Sequence, residues 1–245
     1  MKIVVAGALP QELKPLLNHI KQQGRFQTRT LPVIRATHLN HELAVVVTGV
    51  GIRNAEEAVE SALDAFHPGL ILSIGFAGAL YEGAAIGDVV VAASVSLVSQ
   101  NPLKVTASLP VDVKLLEGRL DTMNAHLGTF FTLGAPTEKN AARALVPAGA
   151  PNPVCEMETF PLAELAQKKG IEFLAARSIT DLWDEEIPSD FFAIAESSGA
   201  RQRIKAASLF LRKPNLIPMA TKLTTRSRKA SENLWLFFDA LARVF

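Results

Sequence analysis

The chain holds 245 residues, 49% of them hydrophobic, with 25 Lys or Arg set against 24 Asp or Glu for a formal net charge of +1. That length and composition suit one substantial α/β core, and so balanced a charge removes the global ground for nucleic-acid binding, which normally needs a clear basic surplus. A single cysteine, Cys155, rules out an intrachain disulfide and a cysteine-rich metal site, and fits a reducing, cytoplasmic compartment.

The segment Ile3 to Leu9 is apolar enough for a short signal core, but Pro10, Gln11 and Glu12 interrupt it, so it reads as a first strand, Ile3 to Val5, followed by a helix from about Gln11. Leu43 to Val47 is the next β-branched run, before a helix from about Asn54. This alternation predicts parallel strands joined by crossover helices. Leu70 to Ile74 and Asp88 to Ala92 read as two further strands, joined by a turn containing Gly75, Gly78, Gly83 and Gly87. Apolar residues on both faces of such strands belong in a covered sheet. Val95 to Leu127 has a weaker pattern, broken by Pro102 and Pro110, and reads as a connecting lobe. Thr129 to Leu133 is a strand, Glu138 to Leu145 a short helix, and Pro147 to Pro153 a loop. A helix begins near Glu158, with Pro161 tolerated in its first turn. Glu172 to Ile179 is the last strand, ending at Thr180 and Asp181. No internal repeat or low-complexity linker appears, so one domain is expected, with a core over about 1–185 and a helical extension over about 186–245. No run approaches the roughly 18 apolar residues that a membrane span needs.

Ligands of open α/β sheets collect at the carboxyl ends of strands. Glu12 follows the first strand, Glu158 starts a helix, and Asp181 ends a late strand. Each has an ordinary structural explanation as a cap, turn former or first-turn acid. Several segments, however, occur in an order that carries further meaning. Met1-Lys2-Ile3 with Gly7, Ala8 and Glu12 is one, and Thr48-Gly49-Val50-Gly51-Ile52-Arg53-Asn54-Ala55 another. Gly75-Phe76-Ala77-Gly78 with Gly87-Asp88-Val89-Val90, then Glu156-Met157-Glu158, then Ser178-Ile179-Thr180-Asp181, complete the set. This ordered set resembles the superfamily of purine nucleoside phosphorylases and methylthioadenosine/adenosylhomocysteine nucleosidases.

The resemblance implies a three-layer α/β/α fold around a mixed, mostly parallel sheet, an enzyme acting on a purine nucleoside without metal or organic cofactor, and a homo-oligomer, as in the homodimeric nucleosidases. It implies Asp181 and Glu12 as catalytic groups, with Phe76, Ala77, Gly78, Glu156, Met157, Glu158 and Thr180 around the substrate. The chemistry is coherent. A purine leaves as a neutral base when a general acid protonates N7, the role implied for Asp181, provided that burial beside another carboxylate keeps the acid protonated. Glu158 would hold the ribose hydroxyls and offset the charge of the cation-like sugar, with Met157 against the ring. Glu12 would orient or deprotonate the attacking water.

Departures from the family pattern narrow the reading. Phosphorolysis needs cationic or hydroxyl donors for the anion, yet Ser73 and Phe76 stand where the hexameric phosphorylases carry an Arg and a Ser. Water is therefore favoured, with Arg25, Arg29 or Arg53 as outside sources of a phosphate ligand. Leu133-Gly134-Ala135-Pro136 replaces the stretch that carries an adenine-stacking aromatic, whereas Asp at 181 favours adenine over a 6-oxopurine. His38 and His41 have the spacing of a metal pair without a third ligand in view, and Cys155 reads as small core filler.

After Asp181, the segments Leu209 to Pro214, Leu216 to Pro218 and Leu234 to Leu241 are similar to the tail of the hopanoid-associated phosphorylase-like branch, which implies an adenosine linked to a polycyclic lipid. From Arg201 through Ala230 there are nine Lys or Arg and no acidic residue. A basic amphipathic tail suits peripheral contact with a lipid surface; a solvated helical pair closing the sheet or supporting a dimer is the plainer alternative. Futalosine-type hydrolysis, phosphorolysis and a non-catalytic nucleoside- or lipid-binding module are the competing functions.

Overall fold

The computed structural model describes residues 1–188, 191, 208–209 and 211–245. Arg201, Arg203, Lys205 and Phe210 of the tail lie outside the described residues. In chain order the elements are β1 (Lys2–Gly7), α1 (Pro10–His19), β2 (Lys21–Gln27), β3 (Pro32–His38), β4 (His41–Val47), α2 (Ile52–Phe66) and β5 (Leu70–Ala79). There follow β6 (Val89–Gln100), β7 (Leu103–Pro110), β8 (Ala125–Leu133), α3 (Lys139–Arg143), β9 (Val154–Glu156), α4 (Thr159–Lys169), β10 (Glu172–Asp181) and a long α5 (Ile217–Ala242).

Successive side chains of a strand point to opposite faces, and β1 shows how this builds the layers. Ile3 and Val5 pack with Leu13 and Leu16 of α1 and with Leu234, Phe237 and Phe238 of α5. Val4 and Ala6 face the other way, against Val59, Ala62 and Phe66 of α2 and Leu162 and Leu165 of α4. The two helical layers thus sandwich a mixed sheet, the expected architecture. Helix α2 begins after Gly51, whose φ of 98° is open to glycine and costly for other residues.

The sheet forks at β5. Ile3 to Ala6 of β1 pair with Leu70 to Ser73, whereas Gly78 and Ala79 further along pair with Cys155 and Val154 of β9. The opposite edge of β5 runs parallel to β10, which pairs in turn with β6. Strand β6 pairs with β8 and β8 with β9, so β5, β10, β6, β8 and β9 close into a ring. Strands β4, β3 and β2 extend the open side beyond β1.

Two expectations need correction. Gly75 and Gly78 lie inside β5 and not in a turn, because side chains from other elements crowd the positions a Cβ would take. The expected lobe over Val95 to Leu127 contains the second half of β6 and all of β7, which form a hairpin. Its strands escaped notice because β7, Leu103–Pro110, is largely exposed and bounded by Pro102 and Pro110, although Leu103, Val105, Ala107 and Leu109 alternate with polar residues. Strand β2 was equally silent, with the sequence KQQGRFQ and almost no burial. An edge strand needs no apolar alternation to be held by its neighbour.

The last helix of the tail packs against the sheet layer. Helix α5 buries Leu234, Phe237, Phe238 and Leu241. His38 pairs with Asp239 at 2.7 Å, and His41 Nε2 lies 2.9 Å from the Ala242 carbonyl. Both histidines of the expected metal spacing are thereby engaged in docking α5. No described helix is long and apolar enough to cross a membrane.

Candidate active site

Every residue expected at the site meets at the fork of the sheet. A cavity of about 210 Å³ is lined by Glu12, Phe76, Ala77, Gly78, Glu156, Met157, Glu158, Thr180 and Asp181. Leu133, Ala135, Pro136 and Cys155 complete much of its apolar wall. A recess of about 10 Å³, room for one water, adjoins it and shares Glu12 and Glu158.

Glu12 sits in the first turn of α1 and is buried. Its carboxylate accepts hydrogen bonds from Leu9 N at 2.8 Å and Phe76 N at 2.9 Å, so it ties the start of α1 to β5. Burial raises its pKa, opposed by these backbone donors and by Arg177. A Cβ at Gly75 would come within 2.9 Å of Glu12 Oε1, which explains the glycine there.

Glu158, at the N-cap of α4, accepts a bond from Gly51 N at 2.8 Å. Burial first, and then repulsion from Glu156, push its carboxyl up to about 8, against the pull of Arg177. Glu156 plays a different part from the one expected. Its Oε2 accepts from Glu158 N, Thr159 N and Arg177 Nη2 at 2.8 to 3.0 Å, while Oε1 accepts from Thr132 Oγ1. With its oxygens occupied by protein donors, Glu156 fixes the loop before α4 and the start of α4.

The cation that answers these carboxylates is Arg177, which sequence reasoning missed. Its side chain is 2% exposed, and Nη2 donates to Ser73, Glu156 and Thr159. Its Nε is a buried side-chain polar atom with no hydrogen-bond partner, the only one among the described residues, and Arg177 lines the water-sized recess. A signal was present: an arginine in the run Leu174-Ala175-Ala176-Arg177, within a strand covered on both faces, demands a buried partner. Arg25, Arg29 and Arg53 do not line either space; Arg29 and Arg53 pair with Glu60 and Glu57 on the surface.

Asp181 ends β10, buried, and the group beside it departs from expectation. It is not a carboxylate but the ammonium of Lys139 from α3, in direct contact with Oδ2. Oδ1 accepts from Thr180 Oγ1 at 3.0 Å. Gly78 passes so close to both Lys139 Nζ and Asp181 Oδ2 that a Cβ there would overlap them, which gives this glycine a structural reason. Lys139 gave no signal, because a lysine opening a short helix ordinarily reads as a solvated charge. Cys155 donates weakly to the Gly78 carbonyl at 3.6 Å, and burial pushes its thiol up to about 12, leaving it neutral and unreactive.

Behind Asp181, Arg226 of α5 donates to Glu185 and, at 3.4 Å, to the Thr180 carbonyl. Arg226 and Lys222 hold the Glu185 carboxyl down at about 2.

A family model described as the phosphorylase superfamily matches residues 2–211. The chain belongs to the phosphorylase superfamily. Within this superfamily it is 26% identical over 219 residues to a 5′-methylthioadenosine/S-adenosylhomocysteine nucleosidase from Exiguobacterium sp., covering 81% of this chain and 92% of that protein. The enzyme of the same description from Staphylococcus aureus strain MRSA252 is 23% identical over 212 residues, covering 80% and 93%. Among solved superfamily structures, the Helicobacter pylori 5′-methylthioadenosine/S-adenosylhomocysteine nucleosidase superposes with a TM-score of 0.74 at 17% identity, covering 100% of this chain and 99% of its own. Futalosine hydrolase from Helicobacter pylori gives 0.73 at 17% identity, covering 100% and 98%.

Proposed function

We propose that the chain is an adenine-releasing nucleosidase that hydrolyses the N-glycosidic bond of a 5′-substituted adenine nucleoside. The observation that carries this reading is the convergence of Glu12, Glu158 and Asp181 on one cavity, with a water-sized recess at the Glu12 and Glu158 end. Asp181 lines the cavity but not the recess, which suits a base at one end and a water at the other. The nucleosidase relatives support the substrate class.

In this reading the purine lies along Ala77, Gly78, Leu133 and Cys155, and Asp181 delivers a proton to N7 as the C1′–N9 bond stretches. Glu158 accepts the ribose hydroxyls, and its ionised form offsets the charge growing on the sugar. A water in the recess is held by the unpartnered Arg177 Nε–H and by Glu12, which takes its proton as it attacks C1′. The recess has room for about one water, which favours hydrolysis over phosphorolysis. The tail reads as a brace: Lys222 and Arg226 are already engaged by Glu185, which favours packing over lipid contact.

The test is direct. Purified protein is incubated with methylthioadenosine, adenosylhomocysteine, adenosine, inosine and futalosine, with and without phosphate, and free base is followed by chromatography. Adenine release that ignores phosphate is expected. Strict dependence on phosphate sinks the hydrolytic reading, and release from none of the five sinks the nucleosidase reading.

Glu158 also sets a pH dependence. Its carboxyl, at about 8 in the folded chain against 4.5 ordinarily, is to be ionised for the role described. Because kcat/KM reports the free enzyme, it should rise with pH through about 8, and Glu158→Gln should erase that limb. Stability should move oppositely. A carboxyl raised in the folded state stabilises fully below its unfolded value and loses that contribution as pH rises towards about 8. Melting temperature should therefore fall between pH 5 and 8, less steeply in Glu158→Gln; Glu12, also raised, acts in the same direction. A limb that survives in the variant removes Glu158 from this role.

A further inference from the structure

Asp181 accepts on both oxygens, from Thr180 Oγ1 and from the Lys139 ammonium. A carboxylate that only accepts has no proton of its own to give. Of its two donors, an ammonium is a stronger acid than an alcohol hydroxyl and leaves a neutral amine when it gives up its proton. The Lys139 side chain is 7% exposed and that of Asp181 11%, both facing the cavity. Such a pair carries a desolvation cost that a hydrophobic replacement would avoid. The surroundings nevertheless make room for it. Gly78 has no side chain where the two groups meet, and the Lys139 backbone N–H is anchored by Glu186 Oε1 at 2.8 Å. The ionisable groups that face Lys139 are Asp181, Glu186 and the neutral thiol of Cys155, and all line the same cavity.

We propose that Lys139 holds the proton that Asp181 hands to the departing base, so that the general acid of this site is the Lys139–Asp181 pair. The inference rests on the nucleosidase reading above. As the C1′–N9 bond breaks, its electron pair goes to the purine. N7 takes a proton from Asp181, and Asp181 takes one from Lys139 Nζ, which is left as the neutral amine. Water adds to C1′ and passes its proton to Glu12. Solvent then removes that proton from Glu12 and returns one to Lys139, so each turnover consumes one water. Lys139 acts through Asp181 and is a positioning and proton-holding residue.

The experiment compares wild type, Lys139→Met and Lys139→Arg on a series of 5′-methylthio ribosides whose leaving groups are adenine, 2-fluoroadenine and 4-nitrophenol. The last leaves as a stable anion and needs no proton. Lys139→Met should lose about 100-fold or more in kcat on the adenine compound, within the range of a lost general acid. The loss should shrink as the leaving group becomes more acidic, and Lys139→Arg, which keeps the charge but yields its proton far less readily, should restore the melting temperature without restoring kcat. Lys139→Gln replaces the methionine variant if melting shows that the latter is unfolded. A loss equal across the series makes Lys139 a merely structural ion-pair partner and overturns the proposal, as does full activity in Lys139→Met. Wild type inert toward the adenine compound overturns the nucleosidase reading itself, and the proposal with it.

Discussion

Asp181→Asn is expected to lower kcat for adenine release by about 10²- to 10⁴-fold, the usual range for removing a general acid, with little change in KM. The split follows from where the proton matters. N7 gains its proton only as the glycosidic bond breaks, so the missing interaction belongs to the transition state and not to the bound substrate. Asparagine keeps the shape of the side chain; its oxygen can accept from Lys139 while its amide donates to the Thr180 hydroxyl. Melting measured alongside should therefore show a folded protein. Retention of more than a tenth of wild-type kcat would remove Asp181 from the chemistry. A large rise in KM at unchanged kcat would make it a binding group only.

The second large effect is on stability. Arg177→Met should destabilise the fold by about 3–5 kcal/mol, the cost of stripping one partner from a buried ion pair. Arg177 and Glu156 have side chains 2% and 1% exposed, and the arginine also serves Ser73 and Thr159. Without it the Glu156 carboxylate is left buried among Thr132, Glu158 and Thr159 with no cation. Urea unfolding read by circular dichroism measures the change. The double variant Arg177→Met/Glu156→Gln should recover part of the loss, because it removes the stranded charge. A midpoint equal to wild type in the single variant would show that the pair contributes nothing to the fold.

The sequence made the parallel half of the fold legible, because buried strands such as β1, β4, β5 and β10 read as continuous apolar runs. It was silent where strands are held by backbone pairing alone. β2 is exposed and polar, β7 is exposed and bounded by Pro102 and Pro110, and β9 has three residues, too few to show any period. The closure of β5, β10, β6, β8 and β9 into a ring follows from long-range pairing that no local pattern records. At the site, the ordered motifs led to Glu12, Glu158 and Asp181, which the structure brings to one cavity. They led equally to Glu156, whose carboxylate turns out to be spent on the loop itself. The two cations were harder. Arg177 was recoverable from a charge stranded in an apolar strand, whereas Lys139 is 42 residues from its partner and meets it only through the fold.

The anchoring of the last helix bears on how defects in this molecule should be distributed. Arg226 reaches across to the carbonyl of Thr180 and to Glu185, on either side of the loop that leaves the acid-bearing strand. Damage to that remote clamp has a direct mechanical route to the Asp181 end of the cavity, while the Glu158 end is secured separately through Arg177 and Glu156. Lesions in the last helix, Ile217–Ala242, are consequently expected to slow turnover while sparing affinity, although they lie far from the substrate.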